Sequence, residues 1–397
     1  LEFIKTNHLY LMQSKLKDKL LAWIESNKSW PILTTSIAKK WLMDGDGLQD
    51  RSITRDLKWG IPVEKDGKPW EGMENKVFYV WFDAPIAYIS STVDWAASNK
   101  KDSDYWKSWW LYDYGAEDVH YVQFMAKDNV PFHTLSFPAT LLGANPSWKL
   151  VDYIKGFNWL TYEGGKFSTS QKRGVFMNQA LDLFPSDYWR WWLLSNAPET
   201  SDADFTWKSF QSCVNKDLAD VLGNFVSRLT KFTLSKFGEA IPKGKQYGQE
   251  ELNTILEIEN ILKNYDEAMT KIEIRKATSC LRKIWSIGNE YLQRSQPWVV
   301  IKTNEAEAAK IIRFGFNLML FFSEISGPFI PETAYKIKNC LSKSYAKGQW
   351  PSIGKNFASA FEKIEVGAKF SPTENLFKKI EDDYVLELEK QFGGHDD

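Results

Sequence analysis

Two aromatic segments of the chain each run from a predicted strand through a turn into the start of a helix, which is where α/β sheets bind ligands. One runs from Tyr79 to Ile89 (YVWFDAPIAYI) and the other from Phe124 to His133 (FMAKDNVPFH). Either segment alone is more typical of a buried aromatic core or a structural histidine. A binding function is therefore indicated only when the segments occur together.

A third segment, residues 163–174 (EGGKFSTSQKRG), has the composition of a mobile loop that binds phosphate. Its glycines permit backbone conformations closed to other residues, and its lysines and hydroxyls can reach polyphosphate oxygens. Loops rich in glycine, serine and lysine are also common on protein surfaces that bind nothing. The signal is therefore weak unless other motifs accompany it.

Strands are predicted to position these segments. Apolar runs at Val77–Phe82 and Val119–Met125 are each followed by a turn and a helical pattern, and a third run at Leu150–Leu160 leads into the glycine-rich loop. This order is typical of parallel strands in an α/β sheet, where ligands bind beyond the carboxyl ends of the strands.

From about residue 207 the hydrophobic pattern becomes helical. Leu218, Leu222, Phe225 and Leu229 fall on one face of a long helix. Helical patterns continue over residues 251–294, 305–323 and 331–341 with no strand pattern between them. The chain is therefore predicted to have an α/β part followed by an all-helical part, with the change near residue 206.

Composition excludes several classes of protein. Lysine plus arginine number 50 against 51 acidic residues, so any nucleic-acid site must be local. Three widely spaced cysteines predict buried thiols in a reducing cytoplasm and neither a zinc site nor a disulfide scaffold. The longest apolar stretch, Ile311–Phe322, is shorter than the roughly 20 residues of a membrane span and predicts a core helix. No secretion leader is recognisable, and a first residue of Leu1 predicts a piece of a longer protein.

In this order, the three segments resemble the YVWFDAPIGY-type strand, the GKDNIPFH-type turn and the KMSKS loop of methionyl-tRNA synthetases, a class I family with a Rossmann-type catalytic fold. The similarity extends from about residues 50–56 (DRSITRD) to Pro297-Trp298 and so covers most of the chain. A class I synthetase for another apolar amino acid is an alternative, against which the combination of Trp81, Pro85, Tyr88 and His133 favours methionine.

The resemblance implies roles for the residues that match these motifs. The methionine pocket would be walled by Trp81, Ala84, Pro85, Tyr88, Val130 and His133. The ATP site would include Ala126, Lys127, Asp128, Lys166 and Thr169, with Asp128 accepting from the ribose hydroxyls. Catalysis would depend on Arg55, Lys166, Ser168, Ser170 and Lys172. ATP with Mg²⁺, methionine and tRNA(Met) are the implied substrates and partners, and no protein-bound metal is predicted.

The helical part contains a candidate surface for RNA. Asn224 and Arg228 are four residues apart and project from one helix face, and Pro297-Trp298 follows another long helix. A solvated polar pair and a packed tryptophan are the structural alternative. The resemblance favours reading of the CAU anticodon of tRNA(Met) by Asn224, Arg228, Pro297 and Trp298, through hydrogen bonds to base edges and stacking.

Three departures from the family pattern affect the expected activity. The HIGH motif needs two histidines three positions apart, and the histidines here, at positions 8, 120, 133 and 395, include no such pair. Thr169 replaces the second lysine of KMSKS, so that Lys172 or Arg173 would have to supply its charge, and Ala126 stands where the family usually has glycine. We therefore expect a truncated synthetase that is inactive alone. The alternative is a non-catalytic tRNA-binding module or one subunit of a split synthetase.

Four segments are predicted. They are the remaining part of a Rossmann-type catalytic domain at 1–160, the KMSKS-like loop and connecting region at 161–206, a helical-bundle anticodon-binding domain at 207–351, and a C-terminal appendage at 352–397. The missing N-terminal segment would be a further partner.

Overall fold

The computed structural model of the chain describes residues 5–144, 147–341, 350–351, 353–354, 356–372 and 375–393. The chain forms two compact units, Leu1–Trp159 and Leu160–Asp397. The division is coarser than the four predicted segments, since residues 206 and 351 both lie inside the second unit.

The first unit combines short strands with helices on its described residues. The strands are β1 (Tyr10–Leu11), β2 (Arg51–Ser52), β3 (Thr54–Arg55), β4 (Glu64–Lys65), β5 (Lys68–Pro69), β6 (Val77–Phe78), β7 (Val122–Ala126) and β8 (Tyr153–Phe157). The helices are α1 (Lys17–Ser26), α2 (Ile32–Met43), α3 (Val80–Asp83), α4 (Ala87–Ser98), α5 (Lys107–Trp110) and α6 (Phe137–Gly143).

The predicted parallel pairing is confirmed for β7 and β8, which align Val122 with Tyr153 and Ala126 with Phe157. Helix α2 packs against β8. There the buried Thr34 hydroxyl donates to the Ile154 carbonyl at 3.0 Å and accepts from the Gly156 N–H at 3.2 Å. These two bonds tie the helix to β8, the strand that pairs with β7.

The prediction of a parallel strand over Val77–Phe82 is wrong. Only Val77–Phe78 forms a strand, and it pairs antiparallel with Thr54–Arg55. The Phe82 and Asp83 amides both donate to the Tyr79 carbonyl, at 2.8 and 3.3 Å, and so begin helix α3. Pro85, whose ring fixes a helical φ, then continues the chain through a 3₁₀ turn into α4. The first aromatic segment therefore presents its side chains from helices.

The second unit begins with strands β9 (Leu160–Tyr162) and β10 (Ala203–Phe205), which pair in parallel, and is otherwise helical over its described residues. The helices are α7 (Met177–Leu183), α8 (Ser186–Ser195), α9 (Trp207–Cys213), α10 (Asn224–Phe237), α11 (Gln249–Thr270), α12 (Ile274–Ser295), α13 (Pro297–Val300), α14 (Glu305–Ser326), α15 (Pro331–Leu341) and α16 (Asp382–Phe392). A π-helical stretch, Val214–Gly223, joins α9 to α10 without a break.

The core of this unit forms around α14. The predicted core helix at Ile311–Phe322 is confirmed, because the residues of this stretch are buried apart from the half-buried Arg313. Helices α10, α12, α13 and α15 pack against it. Trp191 and Trp285, both 1% exposed or less, contact each other in the same cluster, with ring centroids 4.8 Å apart. No helix among the described residues has the length and hydropathy of a membrane span.

Candidate functional site

Trp81, Tyr88 and His133 come together in the first unit through neighbouring helical turns. The Trp81 ring stacks on Phe132, with centroids 4.9 Å apart and planes at 20°. The adjacent His133 lies 2.9 Å through its Nε2 from the Tyr88 hydroxyl. Trp81 is 45% exposed and Tyr88 is 41% exposed, so both keep a face free for a ligand. These residues form the aromatic pocket of the first unit.

The hydrogen bonds fix the tautomer of His133. Its Nδ1 lies 3.0 Å from the Asn129 carbonyl, which can only accept, so Nδ1 carries the proton. Nε2 is then the acceptor for the Tyr88 hydroxyl. Burial lowers the pKa of His133 and raises the pKa of Tyr88. The pair is therefore uncharged at neutral pH, as suits an apolar ligand.

The remaining predicted pocket residues, Ala84, Pro85 and Val130, differ in how far each is exposed to solvent. Ala84 is exposed beside Trp81, whereas Pro85 is buried and Val130 is 0% exposed. Pro85 and Val130 therefore present little or no surface to a ligand.

The predicted ATP residues of the first unit lie where β7 ends. Ala126 is the last residue of β7, and the Lys127 amide donates to the Phe157 carbonyl at 2.7 Å. The Lys127 ammonium lies 5.2 Å from the Trp159 ring centroid. Asp128 is exposed, and one of its oxygens accepts from the Asn129 side chain at 3.2 Å. A polar turn at the carboxyl end of a parallel strand is where α/β sheets bind ligands.

Arg55 is held rigidly at the edge of the first unit. Its Nη1 donates to the Thr54 carbonyl at 2.7 Å and to the Ser52 carbonyl and hydroxyl at 3.2 and 3.1 Å. Its guanidinium stacks on Tyr79, 3.8 Å from the ring centroid. Such a pre-ordered guanidinium is suited to binding a carboxylate or a phosphate.

Sequence reasoning missed the contribution of Arg51. Its guanidinium lies 5.2 Å from the Phe132 centroid and 5.9 Å from that of Trp41. Arg51 thereby supports the ring on which Trp81 stacks. Sequence spacing gives no signal for this contact, because residues 41, 51 and 132 are brought together only by the tertiary structure.

The predicted phosphate loop is a hairpin in the second unit. Ser168 and Arg173 exchange backbone hydrogen bonds of 3.0 and 2.9 Å, and the hydroxyls of Ser168 and Ser170 lie 3.2 Å apart. Lys172 is exposed with a φ of 52°. Lys166, Thr169 and Ser170 are exposed as well. The hairpin therefore presents two ammonium groups and the hydroxyls of Thr169 and Ser170 to solvent, with the half-buried Ser168 beside them.

The base of the hairpin is anchored by residues that the sequence did not single out. Phe167 lines an apolar cleft together with Leu160, Val175, Trp189 and Phe205. The Arg173 guanidinium donates to the carbonyls of Tyr162 and Glu163, at 3.2 and 2.9 Å.

Helix α16 also holds the base of the hairpin. The Gly174 amide donates to the Phe392 carbonyl in α16 at 3.0 Å. The predicted C-terminal appendage thus reaches the loop.

The four predicted anticodon residues lie on α10 and α13. The Arg228 guanidinium lies 4.7 Å from the Trp298 ring centroid, and its Nη2 is 3.5 Å from the Gln293 side-chain oxygen. Asn224 is exposed one turn before Arg228, whereas Pro297 is buried.

The helix end positions Trp298. Gln296 has a left-handed φ of 41° that ends α12 and directs the chain into α13. One face of the Trp298 ring is covered by Arg228, and the ring is half-buried. An aromatic ring beside a guanidinium and an amide is suited to stacking and hydrogen bonding of an unpaired base.

Among the described residues, no group of three or more His, Cys, Asp or Glu side chains has the arrangement of a metal site.

Comparison with protein families matches nearly the whole chain. Residues 2–230 match the family described as tRNA synthetases class I (M), and residues 241–397 match the anticodon binding domain of methionyl tRNA ligase. The anticodon-domain match begins after the predicted boundary at residue 207 and includes the segment predicted as an appendage.

Curated proteins similar to the chain are more than 50% identical to it in sequence. It is 56% identical over 394 residues to the methionine–tRNA ligase of Cereibacter sphaeroides, which covers 99% of this chain and 68% of that protein. It is 58% identical over 382 residues to the corresponding ligase of Dinoroseobacter shibae, which covers 96% of this chain and 66% of that protein.

Solved structures share the fold. The methionyl-tRNA synthetase of Mycobacterium tuberculosis in its free state aligns with a TM-score of 0.76 at 20% identity, over 96% of this chain and 70% of that one. Its complex with methionyl-adenylate aligns with a TM-score of 0.75 at 21% identity, over 93% and 68%. The predicted arrangement of a Rossmann-type catalytic part followed by a helical anticodon-binding part is confirmed.

Proposed function

The chain belongs to the class I methionyl-tRNA synthetases, and on that premise we propose how its residues serve the joining of methionine to tRNA. Its function is that of a methionine–tRNA ligase, which uses ATP as a substrate. The contact that carries the proposed site is the neutral Tyr88–His133 pair beside the half-exposed Trp81. Methionine is the proteinogenic amino acid whose thioether fits such a neutral aromatic pocket.

We assign methionine binding to the aromatic pocket of the first unit. The thioether would lie against the exposed face of Trp81 and near the Tyr88 hydroxyl, with Ala84 at the opening. Pro85 and Val130 would hold the pocket from within. The guanidinium of Arg55, fixed by three hydrogen bonds, would act near the carboxylate of the amino acid as it is activated.

Activation needs positioning more than covalent chemistry by the protein. A methionine carboxylate oxygen attacks the α-phosphorus of ATP, and the bond to pyrophosphate breaks. Asp128 and the turn formed by Ala126 and Lys127 would hold the ribose side of the nucleotide. Lys166, Lys172 and the hydroxyls of Ser168, Thr169 and Ser170 would bind the phosphates, where positive charge stabilises the oxygens that gain charge.

Mg²⁺, which binds substrate phosphates and keeps several of its waters, would enter with ATP. It would neutralise charge on the phosphates.

Transfer follows activation. A terminal ribose hydroxyl of tRNA(Met) attacks the methionyl carbonyl, and AMP leaves. We propose that Asn224, Arg228 and Trp298 select this tRNA by its CAU anticodon, with Pro297 fixing the position of Trp298. A cytoplasmic location, where charged tRNA is used, belongs to the same proposal.

Thr169 and Ala126, which depart from the family motifs, favour a second possibility, that the chain is a tRNA-binding module or one part of a split enzyme. ATP–pyrophosphate exchange separates the two. We expect the purified 397-residue chain to exchange little, and we expect activity when the upstream segment of a relative that carries the histidine pair is added.

The control in this assay is Lys166→Ala, which should abolish the restored exchange. Robust exchange by the chain alone would show that the histidine pair is not needed. No exchange in any mixture, with tRNA binding intact, would favour the non-catalytic module.

A further inference from the structure

A polar groove of about 340 Å³ runs along the start of α10, next to the proposed anticodon residues. One wall comes from the long helix through Asp220, Asn224 and Ser227. The other wall comes from residues 375–379, and we call the segment 375–380, which is neither helix nor strand, the strap. Because Asn224 lines the groove and also belongs to the proposed anticodon surface, the groove continues that surface by one helical turn.

The strap is fastened through its backbone. The Ile380 amide donates to the Asn215 side-chain oxygen at 2.9 Å, and the Ile380 carbonyl accepts from the side-chain amides of Asn215 and Gln211, at 2.8 and 3.0 Å. The Lys378 amide donates to the Tyr188 hydroxyl at 2.7 Å. These bonds fix the course of the strap along the helix without using its lysine side chains.

Packing fixes which way the strap faces. Phe377 is buried, and a Cβ added at Gly223 would lie 3.1 Å from its ring, so the glycine allows close contact between strap and helix. The next two residues, Lys378 and Lys379, are exposed. The backbone positions of both lysines are therefore set before any ligand binds, and binding would order only their side chains.

The charges in the groove are arranged around one carboxylate. Lys379 pairs with Asp220 at 2.7 Å, and both side chains are about half exposed. For Lys378, no ion pair occurs with any carboxylate in the described part of the chain. The groove thus offers one uncommitted ammonium, one ammonium in a weak surface pair, and the neutral donors of Asn224, Ser227 and Asn375.

We propose that this groove binds the ribose–phosphate backbone of the tRNA anticodon arm beside the anticodon, with Lys378 and Lys379 contacting phosphates. The inference rests on the proposed reading of the anticodon by Asn224 and Arg228. Most protein–nucleic acid hydrogen bonds go to phosphate and sugar and set the register in which bases are read. The family match to an anticodon binding domain, residues 241–397, includes the strap.

Binding of a labelled anticodon stem-loop RNA to the full 397-residue chain, measured by fluorescence anisotropy over a salt series, tests the proposal. Lys378→Ala should weaken binding by about fivefold in roughly 0.1 M salt and make the salt slope shallower by about one, equally for CAU and a changed anticodon. Lys263→Ala is the matched control, because Lys263 is exposed on α11 outside the groove, and it should bind as the wild type does.

Asp220→Asn makes the opposite prediction. It removes the carboxylate paired with Lys379, so binding should tighten and the salt slope should steepen. A purely structural role for the strap predicts no such gain. The proposal is overturned if Lys378→Ala behaves like Lys263→Ala, or if Asp220→Asn fails to tighten binding.

Two further variants, Arg228→Ala and Trp298→Ala, test anticodon reading separately from RNA binding by the groove. If Arg228→Ala and Trp298→Ala lose anticodon discrimination while Lys378→Ala has no effect, the groove assignment fails and anticodon reading stands. If Lys378→Ala weakens binding but the other two leave discrimination unchanged, anticodon reading fails and the groove binds RNA backbone without regard to the anticodon. Unchanged melting temperatures verify that each variant is folded.

Discussion

Replacing Gly174 by alanine should release the base of the phosphate loop. Gly174 has a φ of 109°, and a Cβ at this position would lie 2.4 Å from a ring carbon of Phe167. The Phe167 ring, which packs at the base of the hairpin and lines the apolar cleft, would have to move away from the added methyl group. Strain at a backbone angle that favours glycine costs about 1–3 kcal/mol, and a clash with a packed side chain costs a similar amount.

Gly164→Ala is the matched control. Gly164 lies in the same loop with a φ of 75°, and nothing lies within 4 Å of an added Cβ. Both variants therefore incur backbone strain, but only Gly174→Ala adds the clash. The difference between them should be about 2 kcal/mol, which is roughly a 30-fold change in the equilibrium for local opening.

Hydrogen–deuterium exchange of the loop amides measures this opening. The amides of Ser168, Arg173 and Gly174 are all hydrogen-bonded at the base of the hairpin, so their exchange should accelerate roughly 30-fold more in Gly174→Ala than in Gly164→Ala. The melting temperature of the whole chain should change little, because the hairpin opens by itself. Equal exchange rates in the two variants would refute the anchoring role of Phe167 and Gly174.

Two other predictions concern the aromatic pocket. Trp81 exposes 45% of its surface, about 100 Å² of a side chain of roughly 200 Å². Methionine covering about half of that area or more would gain about 1–2 kcal/mol from it, so Trp81→Ala should raise the methionine dissociation constant of the reconstituted enzyme by roughly 5- to 30-fold. Trp109→Ala, which removes a tryptophan that is 42% exposed, should leave the methionine dissociation constant unchanged. Equal effects of the two substitutions would show that Trp81 has only a structural role. Burial lowers the pKa of His133, so the unfolded chain binds more protons than the folded one just below the ordinary His pKa of about 6.5. The free energy of unfolding should therefore fall as pH drops from about 6.5 through the lowered pKa of His133. His133→Gln should reduce this pH dependence in urea titrations, and an unchanged slope would show that His133 does not titrate differently on folding.

The amino-acid pattern was sufficient to predict the elements that depend on local periodicity. The helical segments after residue 207 and the core helix at Ile311–Phe322 follow directly from spacing, and the parallel pair β7–β8 follows from apolar runs that end in polar turns. The order of three motifs identified the family where no single motif could. Each of these features is encoded within a short stretch of chain.

Features that the apolar pattern does not encode could not be predicted. Val77–Phe82 has the composition of a buried strand, but the Tyr79 carbonyl and Pro85 bend it into helical turns, which moves Trp81 onto a helix. The contact of Phe392 with the loop joins residues more than two hundred positions apart. The ring contact between Arg228 and Trp298 likewise needs the left-handed turn at Gln296, which no residue preference signals.

Binding of tRNA to the purified chain tests the account most directly, because the anticodon-binding helices are present in it. The dissociation constants of tRNA(Met) and of a variant lacking CAU should be measured at one salt concentration for the wild type and for Trp298→Ala. We predict tighter binding of tRNA(Met), a loss of about 1–3 kcal/mol for this tRNA alone in Trp298→Ala, and little change for the variant tRNA. Equal binding of the two tRNAs by the wild-type chain, or an equal loss for both in Trp298→Ala, would contradict the reading of the anticodon by Arg228 and Trp298.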